Sequence, residues 1–189
     1  MNMHPEMAAA AAETVRVMNG VRADQLGGPT LCQEWDVRAL VNHIILWTAY
    51  SAEQRAYGGS VAEELMNADF AAKPDFAADY AAQVDKALGA WSDPAAWERE
   101  LGVMGSATPA ADVAALLIAE FALHGWDLAQ ATGQQYRCDD AAAAAVLRTV
   151  EQQGDLFRQY KGFAEAVPVP VEAPVFDRAL GLSGRDPVS

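Results

Sequence analysis

The stretch from Thr108 to Gly133 constrains the fold most. It opens on Thr-Pro and closes on Gly, and between Val113 and Ala129 its only ionisable residues are Glu120, His124 and Asp127. Proline suits a first helical turn, where its missing N–H costs nothing. Glycine suits the left-handed residue just past a helix end. The pattern predicts a helix opened by Thr108 and Pro109 and running to about Thr132. Val113, Leu117, Glu120, His124 and Leu128 step by four, three, four and four, so they share one face. That face should point into a protein core, yet it carries a carboxylate and an imidazole.

Other helices read from the same periodicity. One runs from about Pro5 to about Leu26. "GGPTLCQEW" is a connector punctuated by Gly27, Gly28 and Pro29. A second helix follows, N-capped by Asp36, with Val37, Leu40, Val41, Ile44 and Ile45 at helical spacing and Gly58 and Gly59 as its stop. "SVAEELMNA" suggests a short helical piece. A third helix fits 74–93, through Phe76, Tyr80, Val84, Leu88 and Trp91. Pro94 to Pro109 is not helix-like, and "WERELGVMG" suits a strand or hairpin arm. A helix from about Asp139 to Tyr160 comes last. The tail from about 168 to 189 is Pro/Val-rich, with a short amphipathic turn at Phe176 to Leu182. Long helices in succession with little strand predict an all-α bundle. We read 189 residues as a single helical domain with the tail packed on it.

Charge excludes some partners. Asp plus Glu number 26 against 13 Lys plus Arg, a formal net charge of -13. Nucleic acid and anionic membranes call for a basic footprint, so neither is expected. No stretch reaches the roughly 18 apolar residues of a membrane span, and no basic stretch precedes the early alanine run. Cys32 and Cys138 lack C-x-x-C spacing. A cytoplasmic location is the expectation. Helix faces apolar on more than one side leave room for a homodimer.

A buried carboxylate needs compensation. A Glu120–His124 hydrogen bond would provide it, and so would a metal ion held by both side chains. A metal wants a third ligand, and the histidines are His4, His43 and His124. His43 sits at the margin of its helix's apolar face, beside Leu40 and Trp47. Two His and one carboxylate, with positions left open, form a catalytic-type set. The stronger H-E-x-x-H pattern is absent, and a locally bonded Glu/His pair stays open at this point.

"TLCQEWDVRALVNHI" resembles the opening signature of the mycothiol-dependent maleylpyruvate isomerase N-terminal domain family, a branch of the DinB-like metal-binding proteins. The matching residues are Thr30, Cys32, Trp35, Asp36, Val37, Arg38, Leu40, Val41 and His43. "EFALHGWDLAQATG" resembles its second block, through Glu120, His124, Trp126, Asp127 and Gly133. The ending "VPVPVEAPVFDRALGLSGRDP" is similar to the close of an actinobacterial subgroup described only as metal-binding. The resemblance implies a DinB-like four-helix bundle with a metal near one end, ligated by His43, Glu120 and His124. It also implies a thiol transferase or isomerase that uses a low-molecular-weight thiol, mycothiol in actinobacteria, on a small electrophile. The separate C-terminal domain of the full isomerase has no counterpart here, which sets the isomerase reaction itself in question. Zinc is the default metal, and nickel, iron or manganese fit such a set almost as well.

A metal-dependent hydrolase and a non-catalytic metal-binding or regulatory protein are the alternatives. A cysteine-based redox regulator would need paired cysteines near a histidine. Asp127, at i+3 from His124, is a candidate to orient its ring. Trp47 and Trp126 are core residues or pocket walls, Trp35 likewise, and Arg38 faces solvent or an anionic substrate. Cys32 reads as a small buried residue rather than a nucleophile.

Overall fold

A computed structural model describes residues 2–32, 34–103 and 105–188. Its helices are α1 (His4–Asn19), α2 (Val37–Ile44), α3 (Ser51–Ala56), α4 (Phe76–Trp91), α5 (Ala110–Thr132), α6 (Asp140–Gln159) and α7 (Val175–Leu182). A π-helical stretch, Ile45–Tyr50, joins α2 to α3; its flanking residues keep right-handed helical dihedrals, so the three form one continuous rod. Two strands, β1 (Glu100–Val103) and β2 (Ser106–Pro109), pair antiparallel with Leu101 opposite Thr108. No helix among the described residues is long and apolar enough to cross a membrane.

The packing follows from the apolar faces. α1 lies against α5 and α4, α4 against α3 and the π stretch, and α2 against α5, which closes a four-helix bundle. α6 packs on α5 and α1 and carries α7. Trp91, Tyr80, Phe121, Met7 and Met18 are the largest fully buried side chains. Several polar tips in this core are paired across elements. Tyr80 Oη meets Thr48 Oγ1 at 2.8 Å, and Trp91 Nε1 donates to the Ala52 carbonyl at 2.9 Å. Both bonds fasten α4 to the rod. Thr14 Oγ1 on α1 lies 2.9 Å from both the Ala10 and Phe121 carbonyls. A Cβ at Gly125 would come within 2.6 Å of that hydroxyl and 2.7 Å of the Tyr136 ring. Glycine here lets α1 and α5 approach closely, and so fixes which face of α5 remains for the site.

Local signals explain most element ends. Asp36 accepts from the Ala39 N–H, Asp139 accepts from those of Ala141 and Ala142, and Gly133 takes φ 69°. Three boundaries differ from expectation. α1 stops at Asn19, well before Leu26: Gly20 follows it, the last turn tightens to the Gly20 N–H on the Val17 carbonyl and the Val21 N–H on that of Met18, and the Gln134 side chain donates to the Val17 carbonyl as well. Thr108 and Pro109 close β2 instead of opening α5: pairing with Leu101 commits Thr108 to the hairpin, Pro109 is extended, and the helix starts at Ala110 with no side-chain cap. "SVAEELMNA" yields a single 3-10 turn, Glu63–Leu65, and a second such segment occupies Pro94–Glu98.

Candidate metal centre

His43 leaves α2 just before the π stretch. Residues four apart drift by roughly 40° around an α-helix. The wider turns of Ile45–Tyr50 take up that drift, and His43, Trp47, Ser51 and Arg55 all face one groove against α5. π segments of this kind recur at functional sites for such reasons. Val113, Leu116, Leu117 and Glu120 form the α5 wall, and Phe157 of α6 completes it. The cleft has a volume of about 180 Å3.

At one end of it three side chains meet. Glu120 Oε2 lies 3.2 Å from His43 Nε2 and 3.5 Å from His124 Nε2. One ligand atom from each of the three residues lies within 4.8 Å of the others. The two imidazoles sit edge to face with centroids 4.6 Å apart, and Trp35 covers them, 4.6 Å from His43 and 6.0 Å from His124.

Behind His124 is a second layer. Asp127 Oδ2 lies 3.1 Å from His124 Nδ1, and Arg185 grips Asp127 with Nε to Oδ1 and Nη2 to Oδ2, both at 2.7 Å. Arg185 also donates to Ser183 Oγ at 3.0 Å. Burial pushes Asp127 up, but Arg185 and His124 outweigh it and hold the carboxyl below its usual range. Glu120 behaves the same way. Burial raises it most, and His124, His43 and Arg185 together bring it below the ordinary value. Both carboxylates are therefore ionised at neutral pH.

This decides whether a metal suits the site. An ionised Asp127 accepts a hydrogen bond from the Nδ1–H of His124, so a neutral His124 turns a lone pair at Nε2 toward the Glu120 carboxylate. Two acceptors 3.5 Å apart need a positive charge between them. A proton supplies one; so does a divalent cation, for which two imidazoles and a carboxylate are a suitable donor set. The second layer is what such ligands ordinarily have: a carboxylate that fixes tautomer and ring orientation.

The remaining candidates fall on either side of the cleft. Asp127 orients His124, and Trp47 lines the groove. Trp126 is buried in the core and is not among the lining residues. Arg38 meets no anion pocket: it pairs with Asp69 at 2.5 Å on the surface, where Asn42 holds the same carboxylate. His4 bonds the Leu88 carbonyl and ties α1 to α4. Burial pushes the Cys32 thiol up and that of Cys138 up to about 12, so neither has thiolate character. No cysteine belongs to the cluster among the described residues.

Sequence reasoning missed Arg185, Arg55 and Phe157. A signal for Arg185 existed: Asp127 is itself an acid in a stretch bound to be buried, and such a charge demands a cation. Nothing in the sequence said which of the arginines would come.

The family model described as mycothiol maleylpyruvate isomerase N-terminal domain matches residues 7–129. That range contains all three cluster residues. Two uncharacterized proteins of Mycobacterium tuberculosis, from strains CDC 1551 / Oshkosh and ATCC 25618 / H37Rv, are each 32% identical over 188 residues, covering 97% of this chain and 98% of theirs. No solved structure matches.

Proposed function

The chain belongs to the mycothiol maleylpyruvate isomerase N-terminal domain family, and on that premise we propose that it binds a divalent metal through His43, Glu120 and His124 and serves a thiol-dependent transfer or isomerisation on a small electrophile. The observation that carries the reading is the pair of facing acceptors, Glu120 Oε2 and His124 Nε2, backed by Asp127 and opening on a cleft. Zinc is the metal the donor set favours first. A cation held there supplies positive charge that favours the thiolate of a low-molecular-weight thiol over the thiol.

The protein's own groups do the rest. Asp127 keeps the proton on His124 Nδ1 and so keeps Nε2 available. Trp35 shields the imidazoles from water on one side. Trp47, Leu116, Leu117, Val113 and Phe157 give a small organic electrophile an apolar bed beside the ligand atoms. Holding the two reactants together there turns an encounter of two molecules into a local event. A reducing compartment such as the cytoplasm suits this chemistry, since the thiol stays reduced there.

Metal content of the untagged protein, measured by plasma mass spectrometry, tests the ligand set. Near one equivalent is expected in the wild type, lost in His43→Ala and in His124→Ala. Thiol-dependent turnover of 1-chloro-2,4-dinitrobenzene should then disappear on chelation and return on reloading. A wild type that neither holds nor takes up metal refutes the reading.

A further inference from the structure

Arg55 lies in the same cleft and plays no part in the cluster. It occupies the rod position twelve residues beyond His43, and its side chain is half-buried. Among the described residues its side chain makes one hydrogen bond, from Nε to Ser51 Oγ at 3.2 Å, on its own helix. Helical side chains lean toward the N-terminus, and this bond holds the guanidinium in that direction, toward the Glu120 end. No carboxylate among the described residues lies within ion-pair distance of it.

That absence is informative here. Acids outnumber bases 26 to 13 in this chain. Arg16, Arg22, Arg38, Arg158 and Arg185 each pair with a carboxylate. Of the arginines with no such pair among the described residues, Arg137 and Arg148 are exposed, Arg99 donates to the Ala56 carbonyl, Arg178 lies on α7, and Arg55 is the one half-buried in the cleft. Burying a cation without a partner is costly, and burial does oppose the charge on Arg55, with Glu120 in the cleft as the acid that supports it. A guanidinium in this cleft has no ion-pair partner of its own among the described residues to offset that cost. One that keeps its planar donors free toward an apolar cleft is set up for an anion that arrives with a ligand.

We propose that Arg55 and Ser51 form the anion-binding end of the cleft and select an electrophile carrying a carboxylate on a short apolar body. This rests on the reading of the cleft as the substrate site. A single guanidinium with one hydroxyl matches one planar carboxylate, taken by two parallel N–H bonds. A phosphate dianion would ask for more positive charge than this end offers. The distance fits a small acid: from Val113 to Glu120 the α5 wall runs roughly 10 Å at the ordinary helical rise. The carboxylate at Arg55 leaves the far end of the ligand beside His43 and Glu120, and Leu116, Leu117 and Phe157 fill the space between.

Calorimetric titration of 3-phenylpropanoate and its uncharged amide into the full-length protein tests this, with and without bound zinc, in wild type, Arg55→Gln and Arg55→Lys. The acid should bind the wild type at least about tenfold more tightly than the amide, a difference of about 1.4 kcal/mol. Arg55→Gln should erase the difference, and Arg55→Lys should keep part of it. Equal binding of acid and amide, no binding of the acid at millimolar concentration, or a preference that survives Arg55→Gln overturns the proposal. A preference seen only with zinc and untouched by Arg55→Gln places the carboxylate on the metal, which refutes Arg55 and leaves the metal reading standing. A preference lost in Arg55→Gln without any metal upholds Arg55 even if the cluster never holds an ion.

Discussion

Replacing Arg185 by Met should damage both stability and metal affinity, and the two losses can be separated. Asp127 is 1% exposed, and Arg185 supplies two of its three hydrogen bonds. Removing one member of a buried ion pair strands the other charge and costs about 3–5 kcal/mol. That is a large part of the roughly 5–15 kcal/mol that holds a domain together. Replacing the pair outright, Asp127→Leu with Arg185→Met, strands no charge, so stability should return to within about 1–2 kcal/mol of wild type. Metal affinity should not return. His124 Nδ1 then has no acceptor to fix its ring, a loss ordinarily worth about 10–100-fold. Urea unfolding followed by circular dichroism gives the first quantity, measured with chelator present because bound metal would stabilise the native state by itself. Competition with a chromophoric chelator gives the second. A double variant as unstable as Arg185→Met alone refutes the stranded-charge argument. A double variant that binds metal like the wild type shows that Asp127 does not orient His124.

Two further outcomes follow from the packing and the charges. Gly125→Ala should lower stability by about 1–2 kcal/mol in the same unfolding assay: overpacking costs about 1–3 kcal/mol, and only part is recovered from the better helix propensity of alanine. The obstacle is Thr14 Oγ1, which its two carbonyl contacts hold in place, and an unchanged or raised midpoint would show that α1 can shift. Acid should also destabilise the fold. Asp127 and Glu13 are held below their ordinary values, Glu13 because Arg16 and the Arg137 N–H outweigh the effect of burial. The unfolded chain therefore takes up protons first, so the stability these groups contribute is complete above about pH 4.5 and drains as the pH falls below about 4. The urea midpoint should fall more steeply with acid in the wild type than in Asp127→Leu/Arg185→Met, a comparison that cancels the general relief of negative charge; parallel curves would count against it.

The sequence told unequal amounts about the two sides of the site. Helix periodicity placed Glu120 and His124 on one face of α5, His43 stood out among three histidines at the margin of its own helix's apolar face, and the family resemblance joined it to the other two; all three converge. Those residues were legible because a polar residue inside an apolar stripe is visible as an exception to the pattern. The helix starts were less so. Thr108 and Pro109 carry helix-opening chemistry, and what overrode it was pairing with Leu101, a contact across a hairpin that local propensity does not contain. The π stretch left no mark at all: "ILWTAY" reads as ordinary helix, yet it keeps Ser51 and Arg55 in line with His43.

The arginines show where such reading ends. Arg38 lies within the family signature and turned out to serve Asp69 on the surface. Arg55 and Arg185 lie outside both blocks that flagged the site, and one lines the cleft while the other holds the buried Asp127 behind His124. An arginine's role is set by which acid it meets, and that is decided by tertiary packing rather than by neighbours in the chain. Arg55 meets none within ion-pair distance among the described residues, and the burial it accepts in the cleft has to be offset by something. The cleft gives that charge a place to act, which is why the substrate's own charge is the property to vary first.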